Sequence, residues 1–150
     1  MYGVEQGWHR WMRSPVRMAW RCAFAGETDC VPRARHVVEA LFSGTGREDD
    51  AGLVVTEFSA NALRHTRSGG AGGWFGVEVC MPDDSPAYLG VLDLGGFDRP
   101  RFDLSLRSRE VVEGGRGLAI ARSLAVEVGV TGSPALGHVV WARLDVSKAK

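Results

Sequence analysis

The chain has 150 residues, and 45% of them are hydrophobic, which is enough for one substantial core and too little for two comfortable domains. It carries 18 basic and 18 acidic residues, so the formal net charge is zero and no global field gathers nucleic acid or an anionic membrane. The only lysines are Lys148 and Lys150, which excludes a Walker-type phosphate loop because that loop needs a Gly-Lys-Ser/Thr step. We therefore expect one domain with neither nucleic acid nor membrane as a partner.

The cysteines are Cys22, Cys30 and Cys80, and they include no Cys-x-x-Cys pair. An odd number at wide spacing argues against a disulfide framework or a zinc site, so we expect reduced thiols. No stretch of about 18 apolar residues could span a bilayer, and residues 1–15 contain no apolar run of the secretory type. These features predict a cytoplasmic protein.

Composition predicts a leader over residues 1–15, a folded domain over 16–146 and a short tail at 147–150. The leader contains Trp8 and Trp11 without clear periodicity. It is either a poorly ordered leader or an aromatic segment that docks on a partner or a second subunit, since two nearby tryptophans are costly to expose.

Apolar residues that alternate predict strands, and apolar residues three to four apart predict helices. Residues 95–115 lack either period and contain many glycines, which favours a functional loop such as a lid. The predicted elements are a strand at 17–25, helices at 31–42 and 48–66, strands at 74–81 and 88–93, a helix at 118–127 and a hairpin at 128–146. This order predicts an α+β fold, a two-layer sandwich with about three helices on one face of a mostly antiparallel sheet.

Polar residues recur every four positions along the second predicted helix, at Glu57, Asn61 and His65. Positions four apart lie about 40° from one another around a helix axis, so these side chains form one ridge. Buried polar groups are expensive unless they are paired, so the ridge either faces water or lines a site. By itself the pattern is typical of a solvated helix face.

Two glycine-containing motifs follow the ridge. Residues 93–96 (DLGG) come at the end of a predicted strand, where a carboxylate can accept hydrogen bonds and glycines allow a ligand close to the backbone. Residues 113–118 (EGGRGL) run into a helix, an arrangement that presents free backbone N–H groups and a positive dipole end to phosphate. Each motif alone is common in turns and glycine-rich loops.

In this order and spacing, the three motifs resemble the N, G1 and G2 boxes of the Bergerat-fold (GHKL) ATPases. The likeness is strongest to the anti-sigma-factor serine/threonine kinases of bacterial partner-switching systems. It rests on Glu57-x-x-x-Asn61-Ala-x-x-His65 within residues 55–66 (VTEFSANALRHT) and on residues 114–118 (GGRGL), and it covers about residues 16–146.

The resemblance implies a Mg–ATP site. Asn61 is implied to ligate Mg²⁺ through its amide oxygen, a hard ligand for a hard cation, and Glu57 is implied to be the catalytic base that orients or deprotonates a hydroxyl. Asp93 is implied to accept a hydrogen bond from the adenine amino group, above a floor formed by Gly95 and Gly96. The further residues implied to bind the nucleotide are Arg64, His65, Gly114, Gly115, Arg116, Gly117 and Leu118.

Two functions from different classes remain open. In the first, the protein is an anti-sigma factor that phosphorylates a serine or threonine on an anti-anti-sigma partner and sequesters a sigma factor. In the second, it is a non-catalytic or weakly ATP-binding module that binds a protein partner through the same fold. Glu57 favours the kinase, because Mg–ATP binding alone does not require a base. Phe97 favours the module, since it stands where the related motif has glycine, and His138 departs likewise from a frequent threonine.

The resemblance also implies protein contacts. Arg35 on the first predicted helix matches an arginine with which the similar kinases bind their partners, and its guanidinium can form bidentate contacts with a carboxylate. A homodimer formed through the sheet is implied in the same way.

Overall fold

The computed structural model describes residues 11–12, 19–82, 86–96 and 115–146. Within these residues, five strands and three α-helices form a single α+β unit. In chain order they are β1 (Ala19–Ala25), α1 (Cys30–Leu41), α2 (Glu48–His65), a 3₁₀ turn (Arg67–Gly69), β2 (Trp74–Cys80), β3 (Ala87–Leu92), α3 (Gly115–Leu124), β4 (Glu127–Ser133) and β5 (Gly137–Leu144).

The strands form one sheet in the order β1-β2-β3-β5-β4, and every neighbouring pair is antiparallel. The hairpin β4–β5 folds back so that its second strand pairs with β3, with Leu92 opposite Val139. The last residues of β3 and the first residues of β5 therefore lie side by side at one end of the sheet. This architecture confirms the α+β prediction and its mostly antiparallel sheet.

Alternation along the strands separates a core face from an outer face. Phe75, Val77 and Val79 of β2 point into the core with Leu89 and Val91 of β3, while the residues between them point away. The helices contribute to the same core, so they pack on that one face of the sheet, as expected for a two-layer sandwich. Their main core residues are Ala34, Val38, Val54, Val55, Phe58, Ala62, Leu118 and Ala121.

Helix α2 is the central helix of this layer, and its charges match its dipole. Its first turn is acidic over residues 48–50, and its last turn carries Arg64 and His65, each sign at the favourable end. Arg47, just before the helix, donates from Nη2 to the Leu124 carbonyl at 2.6 Å and from Nη1 to the Asp145 carbonyl at 3.2 Å. This arginine therefore joins the start of α2 to the end of α3.

Most predicted element boundaries hold within one or two residues, but the last helix was predicted wrongly at both ends. The structure places α3 at Gly115–Leu124 instead of 118–127. Glycine is a poor helix former, so sequence reasoning started the helix at Leu118, whereas the glycines form its first turn. Glu127 belongs to β4, whose valines favour a strand.

Several predicted segments lie wholly or partly outside the described residues. They are the tail at 147–150, the loop at 95–115 except for Gly95, Gly96 and Gly115, and all of the leader except Trp11 and Met12. Cys22, Cys30 and Cys80 are free thiols, and Cys30 is buried. In the described part of the chain, no helix has the length and apolar character needed to cross a bilayer.

Candidate functional site

Asp93 is the buried carboxylate at the end of β3, with only 3% of its surface exposed. Its Oδ1 accepts the Gly95 N–H at 2.7 Å and the His138 N–H at 3.1 Å. The backbone around it is also fixed, since the Asp93 N–H donates to the His138 carbonyl at 2.8 Å. One donor from β5 and one from the segment after β3 therefore hold this carboxylate in one orientation. A buried anion with two backbone donors is a strong acceptor for a further hydrogen-bond donor.

The segment after Asp93 is tied to the end of α2. Gly96 forms an isolated antiparallel bridge with Thr66, and the Arg67 N–H donates to the Gly95 carbonyl at 2.7 Å. The Leu94 N–H donates to the Ser68 hydroxyl at 3.0 Å, and Ser68 is fully buried. The fold thus brings the first and second sequence motifs, which are about thirty residues apart, to the same edge of the molecule.

The two glycines after Asp93 are required by close backbone packing. Gly95 has φ +80°, and a Cβ added there would lie 2.2 Å from the Pro134 carbonyl oxygen. A Cβ on Gly96 would lie 2.8 Å from the His65 carbonyl oxygen. These positions accept no side chain without displacing the β4–β5 turn or the end of α2. Their implied role as the floor of a base pocket stays a prediction.

The polar ridge of α2 divides between two environments. Glu57 and Asn61 are half-buried, whereas Arg64 and His65 are exposed. Asn61 lies one turn before His65, whose carbonyl contacts the Gly96 segment. The inner part of the ridge is therefore the part nearest to the core, and it contains the carboxylate and the carboxamide.

The third motif lies on α3. Gly115, Arg116 and Gly117 form its first turn, so the described part of the motif is helical. The first N–H groups of a helix have no partner within it, and they carry the positive end of its dipole. Leu118 is 6% exposed and belongs to the core, so its side chain packs α3 against the rest of the domain. Gly114 and Phe97 lie outside the described residues.

His138 is a feature of this site that the sequence motifs did not assign a role. Its side chain is fully buried beside Asp93, with Nδ1 3.5 Å from Oδ1. Neither ring nitrogen has a hydrogen-bond partner among the described residues. A buried polar atom without a partner costs about 1 to 3 kcal/mol, so such atoms are commonly completed by water or a ligand. In the sequence, the only indication that His138 is unusual is that it replaces a frequent threonine after Gly137.

Arg35, the predicted partner-binding residue, is engaged within its own helix. Its Nε donates to Glu39 Oε1 at 2.6 Å across one turn of α1, and 40% of its side chain is exposed. Exposed i,i+4 ion pairs contribute little to stability, so the guanidinium can be released to another carboxylate at small cost. In the described residues, no group of three or more His, Cys, Asp or Glu side chains is placed to hold a metal ion.

No family model and no curated protein matches this chain. It is similar to the crystal structure of the RsbU and RsbW domains of Rv1364c from Mycobacterium tuberculosis, with a TM-score of 0.63 and 18% identity. The match covers 91% of this chain and 34% of the other, so this chain spans about a third of that protein's length. The fold is GHKL-like. At this identity the likeness concerns fold alone.

Proposed function

We propose that this chain is an ATP-binding partner-switching regulator that transfers the γ-phosphoryl group of Mg–ATP to a hydroxyl of a protein partner. The observation that supports this most is the buried Asp93 carboxylate, held by two backbone donors and tied through Gly95 and Gly96 to the helix that carries Glu57 and Asn61. A nucleotide would bring an adenine amino group to this acceptor and phosphates to the α3 N-terminus, which favours anions.

The described residues fit Mg–ATP in their donor set. Asp93 offers an anionic acceptor to an adenine amino group, and His138 contributes two nitrogens that need partners. The first turn of α3 offers backbone N–H groups to phosphate oxygens. Asn61 offers an amide oxygen, which Mg²⁺ accepts together with phosphate oxygens and water, so a cluster of several carboxylates is not required.

Glu57 has the position and chemistry for proton transfer. It lies one turn before Asn61 and is half-buried, so water screens its charge less than at a free surface. In the proposed reaction, the partner's hydroxyl oxygen forms a bond to the γ-phosphorus while the bond to the ADP oxygen breaks, and Glu57 accepts the hydroxyl proton. Bound Mg²⁺ would neutralise charge on the phosphate oxygens.

The partners that we propose are proteins, namely a sigma factor and an anti-anti-sigma factor that carries the acceptor serine or threonine. The structural neighbour contains an RsbW domain by name, and this supports a regulator of the same general kind. Arg35 on α1, whose side chain is 40% exposed, is the proposed contact residue. A homodimer through the outer face of the sheet, opposite the α1–α3 layer, is part of the same proposal, as a state that forms when that face is uncovered.

Transfer of labelled phosphate tests this function. We expect wild type with Mg–ATP to label a cognate anti-anti-sigma protein, and Glu57→Gln to reduce labelling by about 100-fold or more while retaining ATP. Asn61→Ala should lose Mg²⁺-dependent ATP retention. Asp49→Asn is the matched control, because it removes an exposed carboxylate from the first turn of the same helix.

Each outcome of this experiment is decisive. If wild type retains ATP but labels no candidate, the protein is a non-catalytic binding module, and the kinase proposal is lost. If wild type does not retain ATP, the nucleotide site itself is wrong. Equal labelling by wild type and Glu57→Gln would remove the assigned base.

A further inference from the structure

The outer face of the sheet has an unexpected pattern of burial at β2. Trp74, Gly76 and Glu78 all point away from the core, yet all three are buried. Trp74 and Glu78 do not belong to the core cluster in which the helices participate. Something other than the helix layer therefore covers this part of the sheet.

Trp11 is the residue that lies there. Its ring is 6.2 Å from the ring of Trp74 at an interplanar angle of 46°. A Cβ added to Gly76 would come within 2.7 Å of its ring atom Cη2, so the absent side chain of Gly76 leaves the notch that the indole fills. The backbone of Gly76 does not have the positive φ that would require glycine. Close contact with Trp11 is therefore the physical reason for a glycine at this position.

A polar network fixes Trp11 in this notch. The Arg21 Nη1 donates to the Trp11 carbonyl at 2.8 Å, and the guanidinium carbon lies 4.8 Å from the indole centroid. Arg21 Nε also pairs with Glu78 at 3.1 Å, and the Tyr88 hydroxyl donates to the other Glu78 oxygen at 2.8 Å. With 14% and 11% of their side chains exposed, Arg21 and Glu78 form a sheltered ion pair beneath the indole.

The other half of the outer face, on β3, β5 and β4, is partly exposed. Tyr88 stacks with Trp141 at 6.2 Å, and Arg143 lies over Trp141 and pairs with Glu127 at 3.4 Å. Trp141 is half-buried, whereas Arg143 and Glu127 are exposed. An aromatic centre with both signs of charge at its rim is self-complementary, because a twofold axis can bring Arg143 of one copy to Glu127 of the other.

We propose that Trp11 controls access to this face: docked in its own chain it covers the β1–β2 half, and its release opens the whole face to a second copy. This inference rests on the homodimer proposed above and adds the residue that governs it. Release of Trp11 adds Trp74 and the Gly76 notch to the apolar surface that a second copy can cover, and a larger buried area favours a stable interface.

Two variants uncover the β1–β2 half of the outer face by different routes. Trp11→Ala removes the indole. Gly76→Val keeps the indole but fills its notch with a β-branched side chain that suits a strand, so a loss of docking here does not depend on deleting an aromatic residue. Met12→Ala is the matched control, because Met12 is adjacent in sequence and exposed.

Sedimentation velocity over a concentration series gives the oligomeric state. Wild type and Met12→Ala should sediment as monomers of 16.2 kDa, while Trp11→Ala and Gly76→Val should self-associate about tenfold more tightly or better, equivalent to about 1.4 kcal/mol. The double variant should match either single variant, since both remove the same contact. In 5-fluorotryptophan protein, Gly76→Val should move the ¹⁹F resonance of Trp11 to its solvent-exposed position.

Monomeric behaviour of both variants would overturn the proposal. A wild-type dimer that Trp11→Ala dissociates would also overturn it, because Trp11 would then belong to the interface. A wild-type dimer that neither variant changes would overturn it as well. ATP retention is measured on the same samples. If the proteins retain ATP but the variants do not change self-association, only the role of Trp11 is refuted. If wild type does not retain ATP, the nucleotide site is refuted independently of Trp11.

Discussion

Substitution of His138 by leucine should make the ligand-free protein more stable. The imidazole is fully buried, and both of its nitrogens lack partners among the described residues. Each unsatisfied group costs about 1 to 3 kcal/mol, while leucine has a similar volume and no polar atoms. The nearby Asp93 loses only a 3.5 Å contact and keeps its two backbone donors. We expect a net gain of about 1 to 2 kcal/mol, and hence a rise in Tm of about 3 to 6 °C.

The same substitution should weaken ATP binding, by about fivefold or more if the nucleotide, or water that it orders, completes the imidazole nitrogens. Urea unfolding measures the first effect and equilibrium ATP titration the second. His36→Leu is the control, because this histidine is exposed on α1 and surface substitutions change stability by about 0.5 kcal/mol or less. A His138→Leu protein that is destabilised by more than about 1 kcal/mol and binds ATP as wild type does would refute the reasoning, since the imidazole would then be a structural group.

Two further predictions concern the backbone and pH. Gly95→Ala should cost at least about 2 kcal/mol more than Gly44→Ala in urea unfolding, because both glycines have positive φ but only at Gly95 does a Cβ meet a carbonyl oxygen at 2.2 Å; equal costs would contradict the packing argument. Burial and the adjacent Glu78 carboxylate raise the pKa of Tyr88 above its ordinary value, so the unfolded chain loses this proton first, near pH 10, and stability should fall as pH rises beyond that value. Tyr88→Phe should remove this part of the slope between pH 9 and about 11, and an unchanged slope would rule out Tyr88 as its source.

The spacing of apolar residues predicts most of the helices and strands, because each element buries one of its faces in the core. The acidic first turn and apolar spacing place α2 at Glu48–His65, close to the predicted 48–66. The α3 boundaries failed because helix propensity alone rejects glycine at Gly115, whereas packing of Leu118 in the core fixes the register of that helix. At this helix, packing against distant parts of the chain outweighs the low helix propensity of glycine.

The site divides in the same way. The sequence places Asp93 at the end of an apolar strand, before two glycines, and its predicted role in a nucleotide site comes from the resemblance of the three motifs together. The contact between Gly95 and Pro134 could not be predicted from the sequence, since it depends on β5 lying beside β3. The burial of His138 follows from that same pairing. Trp11 was predicted either to be poorly ordered or to bind elsewhere, and only the Gly76 notch identifies its place on the chain's own sheet.

Calorimetric titration of ATP in the presence of Mg²⁺ tests the central claim most directly. Wild type should bind ATP at one site per chain and prefer it to GTP, because Asp93 accepts from the 6-amino group of adenine and guanine has a carbonyl oxygen there. Asp93→Asn should weaken ATP binding by about tenfold or more, since the amide can turn a donor toward that amino group. The account is contradicted if wild type does not bind ATP, or if Asp93→Asn binds it with unchanged affinity.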